Sequence, residues 1–408
     1  MLGGQSSTNC IGNIAQKKKH NEHHLFFFQR VFYMPKIMLV GPYGGRNIGD
    51  NLILEMILGE LSRFDIEVLV SCSDPHIVSE LYGVATTSLL EYRSLSTESL
   101  KLLQHVDGVI IGGGEQLSEP RIANPIWGHL ARTAHIARIA RINRLPFMLW
   151  SVGLDAIRSP ISRWLIKKWI CIPEHIITLR DEASVKRMQA IVPSQKVDIF
   201  QTTDPAFCLP LQNKSISKIW LYNEIGLPCD DKRVLLLVPA NDKLTNLNYI
   251  KEMICFGQMM STRGYRVFGW ITDLQESYDV VLADSELWQK IPGFNWLPRM
   301  LYKKEAFSMV ARAADIVVSA RMHPLIAAYT QKTPSISLSR SAKMEAYAAA
   351  YNIRQIPIKS ITSKLLYKHS IEIENEHIIS GKPLYKRIIL PPSPCEIFND
   401  QMLPALIK

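Results

Sequence analysis

Lys36-Ile-Met-Leu-Val40, a glycine-rich turn from Gly41 to Gly49, an amphipathic stretch from Asn51 to Phe64 and Ile66-Glu-Val-Leu-Val70 follow one another without interruption. Two short apolar runs joined by a turn and a helical pattern form a strand–helix–strand unit, because parallel strands need a crossover and are buried on both faces. Further buried strands fit Gly108-Val-Ile-Ile111, Pro146-Phe-Met-Leu-Trp150, Ile176-Ile-Thr178 and Lys196-Val-Asp-Ile-Phe200, with helices over 126–142 and 159–169. These define a first unit, residues 34–208. A polar linker over 209–232 follows, punctuated by Pro210, Gly226 and Pro228. The rhythm then restarts with strands at Val234-Leu-Leu-Leu-Val238, Arg266-Val-Phe-Gly-Trp-Ile271, Asp315-Ile-Val-Val318 and Ser335-Ile-Ser-Leu338. Helical patterns at 248–263, 304–314, 324–330 and 344–351 complete a second unit, residues 233–360. Residues 361–408 form a weakly patterned extension in which Pro391-Pro392-Ser-Pro394 ends regular structure. The expected class is α/β, with two Rossmann-like domains facing a cleft and ligands at the carboxyl ends of the strands. Two such halves resemble the GT-B architecture.

At 408 residues, 47% hydrophobic and 21% charged, the chain is long enough for two cores. No apolar run reaches the roughly 18 residues needed to span a bilayer, and Leu25–Met34 is short and broken by Arg30, so a soluble protein is expected. Seven cysteines, at 10, 72, 171, 208, 229, 255 and 395, are scattered and never form CxxC, which suggests neither a disulfide framework nor a zinc site and fits a reducing cytoplasm. A formal charge of +10 points to an anionic partner without choosing among nucleic acid, anionic lipid and a phosphorylated small substrate. Residues 1–33, with Lys17-Lys18-Lys19, read as a disordered tail, either a solvated extension or a basic segment touching a membrane, or as an upstream start ahead of a more natural beginning at Met34.

Val317-Val-Ser-Ala-Arg321-Met-His323-Pro324 ends an apolar strand and opens a helix. Pro324 suits the first turn, the free amides and dipole of that turn favour an anion, and Arg321 stands beside them as a fixed cation. The plainer alternative is a corner whose Arg and His cap carbonyls. Gly41-Pro-Tyr-Gly-Gly-Arg-Asn-Ile-Gly-Asp50 allows close backbone approach, and Asn47 and Asp50 can bond hydroxyl groups, although Asp50 is equally a helix cap. The stretch is neither a Walker loop nor a dinucleotide fingerprint. Gly112-Gly113-Gly114-Glu115 can line a sugar or phosphate pocket. Leu179-Arg180-Asp181 sets Arg180 to reach the cleft or to form a surface ion pair, and Asp204 in Thr203-Asp-Pro-Ala-Phe207 shapes the hinge.

The order of these segments, GPYGGRNIGD, GGG, Ser151-Val-Gly153, LRDEAS, TDPAF, SARMH and Pro334-Ser-Ile-Ser-Leu-Ser339 with Lys343, resembles the polysaccharide pyruvyltransferase family over about residues 36–355. That resemblance implies transfer of the enolpyruvyl moiety of phosphoenolpyruvate to a sugar hydroxyl pair of a cell-surface polysaccharide or its lipid-linked precursor, giving a pyruvate ketal and phosphate. On the matching positions it implies catalytic roles for His323, as general acid, and for Asp50, as the group that orients or deprotonates the acceptor. Substrate binding falls to Arg180, Arg321, Lys343, Asn47, Gly112, Gly113, Gly114 and Ser319. No cofactor and no metal are expected, phosphoenolpyruvate being a donor substrate. The expected partners are that donor and a sugar or lipid-linked oligosaccharide, with peripheral contact at the inner face of an anionic membrane and no nucleic acid. Two departures stand out: Asn51 replaces an acidic residue frequent after the aspartate, and Arg340 follows Ser339 where an aromatic or other residue is commoner. The alternatives are a GT-B-type glycosyltransferase using a nucleotide sugar, which shares the architecture, and a non-enzymatic polyanion-binding protein.

Overall fold

Strands β1 (Lys36–Val40), β2 (Glu67–Cys72), β3 (Ala85–Ser88), β4 (Gly108–Gly112), β5 (Phe147–Val152), β6 (His175–Leu179) and β7 (Ile199–Gln201) form one parallel sheet in the order β3-β2-β1-β4-β5-β6-β7. A second parallel sheet, ordered β10-β9-β8-β11-β12-β13, holds β8 (Val234–Val238), β9 (Arg266–Gly269), β10 (Asn295–Trp296), β11 (Ile316–Ser319), β12 (Ser335–Ser339) and β13 (Arg354–Pro357). This computed structural model describes residues 34–88, 101–119, 128–193, 197–241, 247–274, 279, 281–283, 285–299, 303–379 and 391–407. The expected basic tail lies outside the described residues. In each sheet the order reverses beside the first strand, and the crevice beyond the carboxyl ends at such a point is where open α/β sheets bind ligands.

Helix α1 (Ile48–Leu61) is buried on almost every side, which a sheet-covering helix ordinarily is not. Ile53, Leu54, Ile57 and Leu61 pack with Ile37 and Leu39 of the first sheet. Ile48, Leu52 and Met56 pack with Val238, Trp270 and Phe307 of the second lobe. The lobes are also stitched through backbone: Ile48 N donates to Thr272 O (3.0 Å) and Leu274 N to Arg46 O (2.8 Å). Glu55 Oε2 accepts from Lys304 N at 2.8 Å.

Among the described residues the first lobe also carries α2 (Pro75–Tyr82), α3 (His129–Ile142), α4 (Pro160–Leu165), which runs on as a wider turn over Ile166–Ile170, and α5 (Glu182–Ile191), besides shorter helical turns. The stretch 209–232, expected to be a polar linker, contains α6 (Lys214–Glu224). Its Leu221 and Tyr222 are buried against Val234 and Leu236, so it belongs to the second lobe. The exposed Ile216 and Ile219 blur its periodicity, which is why composition alone reads as loop. Then follow α7 (Leu247–Thr262), α8 (Lys304–Ala313), α9 (Met322–Thr330), α10 (Ala342–Ala350) and α11 (Ser363–Ile373).

Regular structure does not end at Pro394. Ser393 Oγ accepts from Cys395 N at 3.2 Å and Pro394 takes the first position of α12 (Pro394–Ile397), where a missing N–H costs nothing. A wide turn over Phe398–Met402 leads into α13 (Leu403–Ile407). These last helices return to the first lobe, where Phe398, Met402 and Leu406 join Ile37, Leu39 and Trp150. The Phe398 ring sits 5.1 Å from Phe64 and 5.7 Å from Trp150, centroid to centroid. Phe398→Ala should therefore cost about 3–5 kcal/mol, read as a lower denaturant midpoint; an unchanged midpoint would show that α12 and α13 contribute nothing to the first core.

Candidate active site

The loop from β1 to α1 is held by Asn51, whose Oδ1 accepts from Gly44 N (2.7 Å) and whose Nδ2 donates to Gly45 O (2.9 Å). An acidic side chain there has no N–H to give Gly45, so the asparagine accounts for its own presence. Asn47 Oδ1 accepts from Gly49 N at 3.0 Å, and its backbone bridges Asp273 of the other lobe. Asn47, expected to bind substrate, thus caps α1 and builds the seam between lobes.

His323, in the first turn of α9, reaches across that seam onto α1. A Cβ on Gly49 would lie 2.0 Å from His323 Nδ1, so only glycine admits the ring. His323 Nε2 is buried without a partner. Burial, with Lys343 and Arg180 nearby and Asp204 opposing, lowers the imidazole to about 4. Asp50, one residue beyond Gly49, moves the other way: burial, assisted by Glu115 and Asp273 and opposed by Lys343 and Arg180, raises its carboxyl to about 7.

Arg180 leaves the carboxyl end of β6 and lies over Gly153, where a Cβ would stand 2.5 Å from its NH2 nitrogen. Ser151 stands two residues before that glycine. It adopts φ 52° at an irregularity in β5, held by Thr178 Oγ1 accepting from its N–H (2.8 Å) and by its hydroxyl donating to Thr203 O (2.7 Å). The buried Arg180 guanidinium faces Asp204 (3.3 Å), Glu115 (3.6 Å) and Asp181 (3.7 Å). From the second lobe, Lys343 Nζ donates to Glu115 Oε1 at 2.5 Å. Burial alone would raise Glu115, but Lys343, Arg180 and Arg340 pull it down to about 2. Burial and Arg180 lower Lys343. Asp50, Glu115, Arg180, Asp204, His323 and Lys343 thus share one electrostatic site at the strand ends of both sheets.

Other expected site residues lie elsewhere. Arg321 donates from Nε and NH2 to both oxygens of the fully buried Asp279 (2.9 and 2.6 Å) and lies 3.3 Å from Asp273, so carboxylates of its own lobe already occupy it. Ser319 Oγ donates to Arg321 O and accepts from Arg321 N, which braces the corner. Gly112 O accepts from the Tyr43 hydroxyl, Gly113 N donates to Trp150 O, and the Ile53 side chain fills the space beside Gly113. Of the three glycines only Gly114 looks onto Asp50, whose Oδ1 lies 3.7 Å from its Cβ position.

Comparison with known proteins agrees with this arrangement of lobes. Among curated proteins no sequence matches significantly. The family model of polysaccharide pyruvyl transferase matches residues 47–342, more than half the chain. The chain belongs to the polysaccharide pyruvyl transferase family. It is therefore a transferase enzyme. Among solved structures it is similar to the UDP-GlcNAc 2-epimerase of Methanocaldococcus jannaschii (TM-score 0.61, 14% identity, 91% of this chain and all of that one). It is also similar to that of Neisseria meningitidis bound to UDP-GlcNAc (0.59, 13%, 90% and 100%) and to S. aureus MnaA with UDP (0.58, 12%, 86% and 92%). Identities this low speak for the GT-B-like fold alone.

In this pyruvyl transferase family member, Glu115 and the two aspartates on Arg321 were not among the residues expected in the site. Glu115 directly follows the triple glycine, the one signal that pointed to it; Asp273 and Asp279 carry no motif. Asp50 has a folded pKa above its unfolded value, so the folded state holds the extra proton between about pH 4 and 7 and loses stability as pH rises through 7. Asp50→Asn should accordingly stabilise the protein at pH 8, with the gain shrinking as pH falls towards 4. Thermal melts across that range check it, and a pH-independent difference would contradict the burial described.

Proposed function

We propose that the enzyme transfers the enolpyruvyl unit of phosphoenolpyruvate to two hydroxyls of a sugar belonging to a cell-surface polysaccharide or its precursor, forming a pyruvate ketal and releasing phosphate. The observation that carries this is Glu115, a single carboxylate facing a buried arginine of one lobe and a lysine of the other. A donor bearing both a carboxylate and a phosphate can displace it and engage the two cations directly. The cationic pair is Arg180 with Lys343, replacing the Arg180–Arg321 pair expected from sequence.

The protonation states also reverse the expected roles. With His323 lowered to about 4 and Asp50 raised to about 7, the carboxyl holds the dissociable proton near neutrality and the imidazole is free to accept one. Asp50 protonates the methylene carbon, whose new C–H bond takes the double-bond electrons and leaves C2 cationic. A sugar hydroxyl attacks C2 and gives its proton to His323 Nε2. The second hydroxyl then displaces phosphate, which leaves with the C2–O pair and takes the proton from His323, while the second hydroxyl's proton returns to Asp50. Net, donor and diol become ketal and phosphate with both side chains restored. The six free thiols among the described residues accord with the cytoplasmic site of action that belongs to this proposal.

Incubation with phosphoenolpyruvate and a panel of galactosides, glucosides and mannosides should release phosphate and add a ketal to one sugar, detected by mass. Release of nucleoside diphosphate from an added nucleotide sugar, without phosphate release, would support glycosyl transfer instead. Asp50→Asn should lower kcat by about 10²–10⁴ with little change in donor KM, and wild-type kcat/KM should fall as pH rises above about 7, where the acid is lost. Lys343→Met should chiefly raise donor KM. An Asp50→Asn variant of normal turnover would remove the assigned acid.

A further inference from the structure

Helix α4 and its continuation over Ile166–Ile170 turn Ser162, Ile166 and Ile170 inward, and leave Ile161, Trp164 and Lys168 exposed along one face. Ile161 and Trp164 are each 50% exposed, and Ile142 at the end of neighbouring α3 is 64% exposed. Around them stand the exposed cations Arg138, Arg141, Arg144, Arg163, Lys167 and Lys168, whereas segment 129–174 contains two acidic residues, Asp155 and Glu174. Lys168 Nζ lies 4.8 Å from the Trp164 ring centroid, and Trp169 has Lys168 and Arg138 each at 5.3 Å. Among the described residues no helix is long and apolar enough to cross a membrane.

We propose that this face seats the enzyme on an anionic bilayer, with Trp164 and Ile161 in the headgroup region and the surrounding cations on lipid phosphates. Charge decides the occupant. A second copy would bring like charge against like, and a nucleic acid would leave the aliphatic side chains without a purpose. The helix bearing this face follows the site closely along the chain. Pro160 follows Gly153, which lies under Arg180, by seven residues, so at most roughly 25 Å of chain separates them. Glu119 ties the connection by accepting from Arg158 N (3.1 Å) and Ser159 N (2.8 Å). The docked enzyme would present its cleft to a lipid-linked acceptor, a consequence that rests on the pyruvyl-transfer proposal; docking itself does not.

Co-sedimentation of the full chain with vesicles tests this. Binding is expected to vesicles of phosphatidylcholine with phosphatidylglycerol and not to phosphatidylcholine alone, and to be lost in about 1 M salt, where the screening length falls to about 3 Å. Ile161→Ser with Trp164→Ser should reduce the bound fraction about tenfold, leaving phosphate release with a soluble sugar unchanged. Lys17→Gln, Lys18→Gln and Lys19→Gln together should leave binding intact. Equal binding to both vesicle types, undiminished binding by the Ile161/Trp164 variant, or loss in the tail variant alone would overturn the proposal. Because the vesicles carry no acceptor, a failure of phosphate release would count against the reaction and not against docking.

Discussion

One helix, α1, is buried by two lobes at once, and the site depends on it. Its Ile53–Leu61 face completes the first core and its Ile48, Leu52 and Met56 face completes the second. Neither lobe can shift along α1 without exposing apolar surface, at about 25 cal/mol per Å². The first turn of that helix carries Gly49 and Asp50 into the seam, where His323 of the other lobe closes over the glycine. Packing thus brings a partly buried imidazole and a partly buried carboxyl into the seam together, and their desolvation moves their proton affinities in opposite directions.

Around this pair the charges are balanced across the lobes. Arg180 and Lys343 come from opposite sheets and meet at Glu115, while Arg321 is neutralised within its own lobe by Asp279 and Asp273. The distinction matters for function. A guanidinium held bidentate by a buried aspartate orders a loop, whereas a cation shared with a half-exposed carboxylate can exchange that partner for a substrate anion. Removing Arg321 would leave Asp279 as an uncompensated buried charge, so its loss is first a structural injury.

Much of the fold was legible because parallel strands buried on both faces read as unbroken apolar runs: β1, β8 and β11 fall where Lys36–Val40, Val234–Val238 and Asp315–Val318 place them. β3, β10 and β13 were not, since they are edge or near-edge strands, short and half exposed. α6 and the closing helices were obscured by composition: Ile216 and Ile219 face solvent, and Pro394 looks like a terminator until Ser393 is seen capping it.

The sequence by itself determined two α/β units, the glycine turns at the strand ends and the ordered motifs on which family membership rests, since each of these is set by residues adjacent along the chain. Tertiary structure alone decided which motif residues face one another. It set Glu115 between Arg180 and Lys343, gave Arg321, Ser319, Asn47 and Gly113 partners within the protein, and moved the proton affinities of Asp50 and His323 in opposite directions. The physical reason is that burial and charge proximity come from segments far apart along the chain, from 24 residues between Arg180 and Asp204 to 228 between Lys343 and Glu115, and no local pattern encodes the desolvation that sets a pKa.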